Sequence, residues 1–446
     1  MCGLFISIGE APDKRRLDAV AHRGPDGEGW RVFDTPSGPL VLGHRRLSII
    51  DIDDRAAQPM RSPDGRYWLI YNGELYNYLE LRRELDGWEF RTKSDAEVLL
   101  AAYVKWGPAA LERFVGMFAL AIFDADENRL FIARDRFGVK PLYYAVTRAG
   151  AAFGSEIKQL RGFPGQSGRA NAERLRDFVE YGLIDHRDET CFADVLPVPA
   201  GACATIDLGG GAPSWLPLRF SVWWRPPEPE EGPLSEAEAA ATFRRLFEES
   251  VRLHMRADVR VGSCLSGGLD STSILCAMSA LRGEGAEPLE AVSAVFPGAD
   301  IDESAFIDLA SRHARAASRR ETFEPSAIFD DLDAVLAVQD EPYGSTSIHA
   351  QHRVFRRASD CGVKVMLDGQ GADELLGGYH GAFHHHYLKL MRSFDIGGLA
   401  TTLEERRRWH GLSWGRQLAP FAKSALARLA PGPRGGAAYP DPVGAA

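Results

Sequence analysis

The hydrophobic pattern of this chain changes across one segment rich in glycine and proline, residues 206–234, and that change constrains the fold most. Before it, short apolar runs separated by Gly, Asp and Asn predict strands, with helices near residues 79–85 and 95–106. After it, helical and strand patterns alternate, which predicts a parallel α/β sheet. We therefore expect four parts: an α+β domain over 1–205, the linker 206–234, an α/β domain over 235–428 and a disordered tail over 429–446.

Length, charge and cysteine content limit the class of protein. At 446 residues two domains are the default, and the net charge of −10 argues against nucleic acid or an anionic membrane as a partner. The six cysteines show no CxxC spacing, which favours a reducing compartment over a disulfide framework or a zinc site. Apolar stretches stay well below the ~18 residues of a membrane span. We expect a cytoplasmic protein, and whether it forms a homodimer stays open.

Cys2 is the residue with the most distinctive chemistry. If the initiator methionine is removed, this one residue carries both a thiol and a free α-amino group. An α-amino group has a pKa of about 7.7–8.0, so it can act as a general base at neutral pH and activate the thiol beside it. A cysteine at the second position also occurs by chance, so its meaning depends on the motifs that follow.

Several polar clusters of the amino-terminal half suit one substrate, glutamine. The runs 43–50, 71–77 and 92–95 contain arginine, asparagine, glycine, glutamate and aspartate. An arginine can pair with the α-carboxylate, and carboxylates can hold the α-ammonium group. An asparagine side chain and a glycine N–H can form an oxyanion hole over the amide that is cleaved. Each cluster alone also has a structural interpretation, since Asn-Gly is a common hairpin turn and Asp95 lies where a helix is expected to begin.

Together these motifs make residues 2–200 resemble the class II glutamine amidotransferase domain, an N-terminal-nucleophile hydrolase with an αββα sandwich fold. The resemblance implies that catalysis belongs to Cys2, Asn72 and Gly73. It further implies that glutamine is bound by Arg46, the Ile50 backbone, Asn72, Gly73, Glu74 and Asp95. The runs 133–144 and 153–156 also match this family and are interpreted as structural.

The most specific motif of the carboxy-terminal half follows a predicted strand and opens a predicted helix. It reads Ser266-Gly267-Gly268-Leu269-Asp270-Ser271. Glycines let consecutive N–H groups turn toward an anion, and the helix N-terminus adds partial positive charge, so the loop predicts a phosphate site. It lacks the lysine of a Walker A loop, and a tight strand–helix connection is the structural alternative.

A second glycine-rich turn with carboxylates follows a later predicted strand. It contains Asp368, Gly369, Gln370 and Asp373. Asp270 and Asp373, one from each loop, form a candidate Mg²⁺ pair, because carboxylate oxygens are ligands that this ion prefers. Acidic loop residues free in solvent are the alternative.

The two loops together resemble the ATP-pyrophosphatase domain of glutamine-hydrolysing asparagine synthetases. The resemblance implies an ATP site formed by Cys264, Ser266, Gly267, Gly268, Asp270, Ser271, Asp368 and Gly369, with Mg²⁺ on Asp270 and Asp373. The segment 340–344 also matches a family loop near the acceptor site. Gln370 departs from the family, since relatives often carry a glutamate there and a glutamine side chain cannot accept a proton.

These resemblances imply that glutamine hydrolysis at Cys2 supplies ammonia to an acyl-adenylate formed from ATP and aspartate. The products would be asparagine, AMP, pyrophosphate and glutamate. Two alternatives stay open: an amidotransferase with a different carboxylate acceptor, and a truncated glutaminase or nucleotide-binding remnant without synthetase activity. The second arises because the Ser-Ile-Glu-x-Arg-x-Pro-Phe-Leu-Asp motif of the family does not occur between Tyr379 and Ala446, so the second domain is expected to be incomplete.

Overall fold

The computed structural model describes residues 1–211, 216–228, 234–283, 285–324, 326–379 and 381–429. The chain divides into two compact units, Met1–Asp368 and Gly369–Ala446. Parts of the predicted linker, 212–215 and 229–233, and the predicted tail beyond residue 429 lie outside the described residues.

Two antiparallel sheets form the first part of the larger unit. Their strands are β1 (Gly3–Ile8), β2 (Gly27–Thr35), β3 (Gly38–Arg46), β4 (Met60–Arg61), β5 (Tyr67–Leu75), β6 (Gly116–Asp124), β7 (Arg129–Arg134), β8 (Tyr143–Val146), β9 (Ala151–Gly154), β10 (Leu196–Pro197), β11 (Ala202–Asp207) and β12 (Ser221–Val222). The first sheet has the order β10-β8-β9-β1-β3-β2, and the second has the order β12-β11-β7-β6-β5-β4.

The two sheets pack face to face around an inner core. Successive side chains of a strand point to opposite faces, so Leu130 and Ile132 of β7 enter this core beside Ile6 of β1, while Phe131 packs on the outer face. The central strand β1 is buried along its whole length, which explains its uninterrupted apolar sequence Gly-Leu-Phe-Ile-Ser-Ile.

Helices cover both outer faces of the sandwich. The helices of this region are α1 (Arg15–Asp18), α2 (Tyr78–Glu84), α3 (Asp95–Trp106), α4 (Ala110–Arg113) and α5 (Ala172–Tyr181). Leu81 of α2 and Leu99 of α3 pack on the second sheet, and Leu17 of α1 packs on the first. The layers therefore run α, β, β, α, and the predicted sandwich is confirmed. The helix expected over 95–106 coincides with α3, whose first turn is capped by the Ser94 hydroxyl.

The segment predicted as a linker also contributes to the sandwich. Strand β11 continues to Asp207, and Ser221–Val222 pair with it as β12. Phe220 packs against the inner core, and Trp223 stacks on Phe118 with ring centroids 6.1 Å apart. Large aromatic side chains gain by burial, and this holds the glycine- and proline-rich segment against the second sheet.

A parallel sheet forms the rest of the larger unit, as predicted. Its elements are α6 (Glu236–His254), β13 (Val261–Cys264), α7 (Leu269–Arg282), β14 (Glu290–Val295), α8 (Ser304–His313), β15 (Ala317–Thr322), α9 (Ala327–Gln339), α10 (Thr346–Asp360) and β16 (Val365–Leu367). The strand order is β15-β14-β13-β16, and every pairing is parallel. Leu275 of α7 and Ile307 of α8 belong to one apolar cluster with β13 and β14, whereas Val354 of α10 packs in another.

The smaller unit is helical in its described part. It contains α11 (Ala372–Leu376), α12 (Ala382–Arg392), α13 (Ile396–His410) and α14 (Trp414–Leu429). Tyr387 is fully buried within it, and Gln417 donates hydrogen bonds to the carbonyl oxygens of Leu403 and Leu412. None of the helices that the structure describes has both the length and the apolar character needed to cross a membrane.

Candidate active site

The Cys2 thiol lies at the beginning of β1, against the backbone that follows β3. Its Sγ accepts a hydrogen bond from the Leu47 N–H over 3.3 Å and lies 3.7 Å from the Leu47 carbonyl oxygen. Burial raises the pKa of the Cys2 thiol, and the Leu47 N–H opposes that rise. Burial lowers the pKa of the Met1 amino group to about 5, so this amine is unprotonated at neutral pH. The Cys2 thiol and the Met1 amine are thus neutral neighbours at the amino-terminal end of β1, within the first sheet.

Arg23 anchors the main chain of Cys2. Its Nε donates to the Cys2 carbonyl oxygen over 2.8 Å, and its Nη1 donates to Glu156 over 2.9 Å. Burial disfavours the Glu156 charge, yet hydrogen bonds from His22, Lys158 and Arg23 hold the pKa of this carboxyl at about 2. The 153–156 run was predicted to be structural. It supplies the Glu156 carboxylate, which stays ionised at neutral pH and orients Arg23.

The turn containing Arg23 approaches the end of β3 very closely. A Cβ at Gly24 would lie 2.3 Å from the Arg45 carbonyl carbon, so only glycine allows the two backbones to pass. Arg46, the last residue of β3, is buried, and its guanidinium donates to the carbonyl oxygens of Asp51 and Asp53. These bonds hold the guanidinium within the loop that contains Ile50, and they leave further N–H donors for a carboxylate.

The end of β5 carries buried polar atoms without partners. Among the residues that the structure describes, neither Oδ1 nor Nδ2 of Asn72 has a hydrogen-bond partner, and Glu74 Oε2 has none. Gly73 lies between them, and a Cβ there would lie 2.4 Å from the Met117 carbonyl oxygen. A buried polar group without a partner costs about 1–3 kcal/mol. These atoms are therefore suited to bind a polar ligand.

Asp95 stands beside Glu74 at the beginning of α3. Its Oδ2 accepts hydrogen bonds from the Leu75 N–H and the Tyr71 hydroxyl, each over 3.0 Å. Burial raises the pKa of Glu74 well above its usual range, the Asp95 charge adds to that rise, and burial also raises the pKa of Asp95. Two neighbouring buried carboxyl groups favour a cation between them, which is the chemistry expected of an ammonium site.

Lys140 is a candidate site residue, since its charge lowers the pKa of the Cys2 thiol, and the sequence interpretation missed it because it lies in the 133–144 run assigned to structure. Lys140 is buried, and its backbone N–H donates to Asp135 Oδ2 over 2.9 Å. The same oxygen accepts the N–H of Phe118, which pairs with Gly73 across the sheet. Burial lowers the pKa of Lys140, and the Glu74 carboxylate opposes that change. Within residues 137–144 this lysine is the single charged residue, and that was the available signal.

The predicted phosphate loop joins β13 to α7. Gly267 has φ +92°, a left-handed conformation that side chains avoid. The hydroxyls of Ser266 and Ser271 lie 3.0 Å apart, and the Gly268 N–H donates to Ser266 Oγ over 3.2 Å. The first-turn N–H groups of a helix lack intrahelical acceptors and can meet phosphate oxygens. Within the described ranges the Asp270 carboxylate makes no hydrogen bond or ion pair, which fits a Mg²⁺ ligand.

The other predicted nucleotide residues divide between the two units. Cys264 ends β13, and burial, reinforced by the Asp368 charge, raises the pKa of its thiol to about 12. Asp368 Oδ2 lies 3.5 Å from the Gln351 amide nitrogen. Gly369 and Asp373 belong to the smaller unit, so the pairing of Asp373 with Asp270 stays a prediction. The described side chains contain no group of three or more His, Cys, Asp or Glu arranged to hold a metal ion.

The segment 340–344, predicted to lie near an acceptor, contacts the amidotransferase-like sandwich. Asp340 Oδ2 accepts the Lys158 N–H over 3.1 Å. Glu341 Oε1 accepts the Cys191 N–H over 2.5 Å. These bonds connect the parallel-sheet region to the sandwich at residues close to Glu156.

Comparison with known proteins agrees with this geometry. Residues 1–215 match the family model of a glutamine amidotransferase domain, and residues 242–439 match that of asparagine synthase. Fold and site therefore define a glutamine amidotransferase domain joined to an asparagine synthase domain. The chain belongs to the glutamine-hydrolysing asparagine synthetase family.

Individual relatives show how much of the family the chain spans. A Mycobacterium tuberculosis protein is 37% identical over 382 residues, which are 82% of this chain and 56% of that protein. The Bacillus subtilis protein named glutamine-hydrolyzing asparagine synthetase 1 is 34% identical over 372 residues, 82% of this chain and 55% of its own. Amidase chry2 of Gibberella zeae is 29% identical over 382 residues, 81% and 54% of the two chains. The chain thus spans about half the length of these relatives.

Proposed function

We propose that the chain hydrolyses glutamine at Cys2 and transfers the ammonia to a carboxylate activated by ATP. The observation that carries the first step is the set of buried side-chain atoms of Asn72 and Glu74 at the end of β5 that have no hydrogen-bond partner among the described residues, together with the Glu74 charge, which acts on the pKa of the Cys2 thiol. These polar atoms have the chemistry that a carboxamide and an ammonium group require.

The hydrolysis needs Met1 to be removed, so that the α-amino group of Cys2 can take the thiol proton. The thiolate attacks the side-chain carbonyl carbon of glutamine, and the oxyanion is stabilised by Asn72 Nδ2 and the Gly73 N–H. The α-ammonium then returns the proton to the leaving nitrogen, ammonia departs, and water cleaves the thioester to release glutamate. Throughout these steps Arg46 and the Ile50 backbone hold the α-carboxylate.

Glu74 and Asp95 bind the α-ammonium group of glutamine in this proposal. Because burial raises the pKa of both carboxyl groups, their simultaneous ionisation is unfavourable when no cation lies beside them. An ammonium group compensates both carboxylates, so binding of glutamine favours their ionised forms.

The synthetase half of the proposal uses the β13–α7 loop for the ATP phosphates. Ser266, Gly267, Gly268 and Ser271 would contact phosphate oxygens, and Asp270 would hold Mg²⁺, with Asp373 as the proposed second ligand. The ion supplies positive charge to the phosphates when bound. We propose aspartate as the acceptor and asparagine as the product, on the basis of the family to which the chain belongs.

A different carboxylate acceptor is the second candidate. It is favoured by one relative, because the Gibberella zeae protein is named an amidase and not an asparagine synthetase. Both candidates share the chemistry at Cys2 and the nucleotide loop. We propose a cytoplasmic location for either, since the six cysteines are all free thiols, as a reducing compartment maintains them.

The purified chain, tested with glutamine alone and with ATP, Mg²⁺ and aspartate, separates these possibilities. We expect glutamate release in both mixtures, and asparagine, AMP and pyrophosphate in the second. Mass spectrometry of the amino terminus should find that Met1 has been removed. Absence of glutamate release from chains that begin at Cys2 would refute the proposal, and AMP formation only with another carboxylate would identify the second candidate.

A further inference from the structure

The segment 254–258, which connects α6 to β13, contacts the loop that carries Ile50. Asp258 donates its backbone N–H to the Ile49 carbonyl oxygen over 2.9 Å, and its Oδ2 accepts the Asp51 N–H over 2.7 Å. One residue of the nucleotide domain therefore binds the residues on either side of Ile50. A backbone held at two such close points has little freedom to move the peptide between them.

The same segment also contacts the end of β5. Arg256 donates to the Tyr76 carbonyl oxygen, and its two terminal nitrogens lie 2.6 Å from the carboxylate oxygens of Glu80. The His254 ring lies over Tyr76, with centroids 3.9 Å apart. Tyr76 is two residues beyond Glu74, and bidentate pairs of this kind fix orientation as well as distance. The loop that carries Ile50 and the end of β5 both belong to the proposed glutamine site, and both contact residues 254–258.

A second contact reaches the loop from the strand beside β13. Lys364, directly before β16, places its Nζ 2.8 Å from Asp26 Oδ2, and this oxygen also accepts the Ser48 N–H over 2.8 Å. Ser48 follows Leu47, whose backbone contacts the Cys2 thiol. Because β13 and β16 are neighbours, two adjacent strands begin against the same loop.

We propose that Asp258 is a positioning residue for glutamine, assisted by Lys364: from the nucleotide domain it holds the Ile50 peptide where the substrate carboxylate binds. The proposal rests on the glutaminase site proposed above. We call the two bonds from Asp258 to Ile49 and Asp51 the clamp. The Arg46 guanidinium binds the Asp51 carbonyl oxygen, so Asp51 belongs both to the predicted carboxylate site and to the clamp. Glutamine affinity therefore depends on a residue outside the amidotransferase domain, which ends near residue 215.

The variant Asp258→Ala in the full chain removes the acceptor of the Asp51 N–H and keeps the backbone bond to Ile49. We expect KM for glutamine to rise about tenfold, as for the loss of a hydrogen bond to a charged group, while kcat changes less than about twofold. Asp258→Asn retains an acceptor oxygen and should recover most of the affinity. Asp360→Ala, at the exposed end of α10, is the matched control and should keep the wild-type KM.

Two outcomes overturn the clamp: a wild-type KM in folded Asp258→Ala, or an equal rise in Asp258→Asn or in the control. If the alanine variant does not fold, as judged by its thermal transition, Lys364→Met decides, since a raised KM supports the clamp and a wild-type KM refutes it. Calorimetry of glutamine binding in the Cys2→Ala background provides a readout without turnover. In that background Asp258→Ala must raise the Kd for glutamine about tenfold. This expectation holds even if the parent chain releases no glutamate, because the absence of glutamate release would refute only the proposed hydrolysis.

Discussion

The Nε of Arg23 donates a hydrogen bond to the carbonyl oxygen of Cys2 over 2.8 Å, while the same guanidinium pairs with Glu156. Arg23 and Glu156 are both buried. The contact fixes the proposed nucleophilic residue through its main chain and makes no use of the thiol. Replacement of the side chain at position 2 should therefore leave the surrounding backbone in place.

Cys2→Ala should abolish glutamine-dependent synthesis and leave ammonia-dependent synthesis within about twofold of wild type, because the nucleotide site is separate from the thiol. Product formation with glutamine or with ammonium chloride measures both activities. Cys361→Ala, which alters a partly exposed thiol of the parallel-sheet region, is the control and should retain both. Loss of both activities in Cys2→Ala would contradict independent sites.

Lys140→Met should move the alkylation of Cys2 to higher pH. A nearby ammonium group lowers the pKa of a thiol. Removing the Lys140 ammonium group therefore raises the pKa of Cys2, and the thiolate forms only at higher pH. The rate of iodoacetamide labelling as a function of pH measures the change. Lys105→Met, at an exposed lysine, should leave the profile where it is in the parent chain. An unmoved profile in Lys140→Met would exclude an electrostatic role for this lysine.

His44 should make the fold sensitive to mild acid. Burial lowers the pKa of His44 from 6.5 to about 4, so the folded state keeps the ring neutral while the unfolded chain protonates it. The stability that this gives is complete above pH 6.5 and is lost as the pH falls from 6.5 to about 4, up to about 3 kcal/mol.

Urea unfolding at pH 7 and pH 4.5 tests this. The difference between the two free energies of unfolding should shrink in His44→Gln, whose amide nitrogen can still donate to the Tyr71 carbonyl oxygen as His44 Nε2 does. The same substitution at exposed His313 should leave the difference unchanged. An equal difference in all three proteins would remove His44 as the acid-sensitive group.

Gly73→Ala should destabilise the sandwich and impair glutamine hydrolysis. The new Cβ would meet the Met117 carbonyl oxygen at 2.4 Å, and relieving that contact must move β5 against β6. Overpacking of this kind costs about 1–3 kcal/mol, measurable by urea unfolding. Gly415→Ala in α14, where a Cβ has open space, is the control and should not destabilise the chain, because alanine is favoured over glycine in a helix. A Gly73→Ala variant of wild-type stability would show that β5 tolerates the side chain.

Asp270→Asn should spare glutamate release and prevent AMP formation, because an amide oxygen is a weaker ligand for Mg²⁺ than a carboxylate. Both products are measured in one reaction mixture. Asp300→Asn, at an exposed aspartate outside the loop, should form AMP at the wild-type rate. An unchanged AMP yield in Asp270→Asn would remove this residue from the metal site.

Much of the fold is readable from the sequence because its strands are strongly patterned. Strands β6 and β7 are apolar at every position between their first and last residues, and β5 opens with the apolar run 67–71. Strand β15 was not predicted, since Ala317–Thr322 contains two arginines and a glutamate. It is an edge strand, where only one side must be covered, and such strands carry charged residues freely.

The sequence could nominate Cys2, Asn72 and Glu74 for the candidate site because each lies in a motif whose residue types suit glutamine chemistry. Lys140 and Asp258 could not be found in this way. Asp258 acts across more than 200 residues of sequence, and Lys140 is connected to β6 because Asp135 accepts the backbone N–H groups of both Lys140 and Phe118. A single charged residue in a loop has no periodicity or spacing that reports such a contact.

The short parallel strand β13 connects the segment that contacts the proposed glutamine site to the proposed phosphate loop. Strand β13 has four residues, so roughly 13 Å of extended strand separates its Val261 end, three residues after Asp258, from its Cys264 end, two residues before Ser266 of the proposed phosphate loop. Any change in glutamine affinity caused by nucleotide must be matched by an equal change in nucleotide affinity caused by glutamine. We therefore expect any coupling between the proposed glutamine and ATP sites to be equal in both directions, with β13 as a strand whose flanking loops contact both.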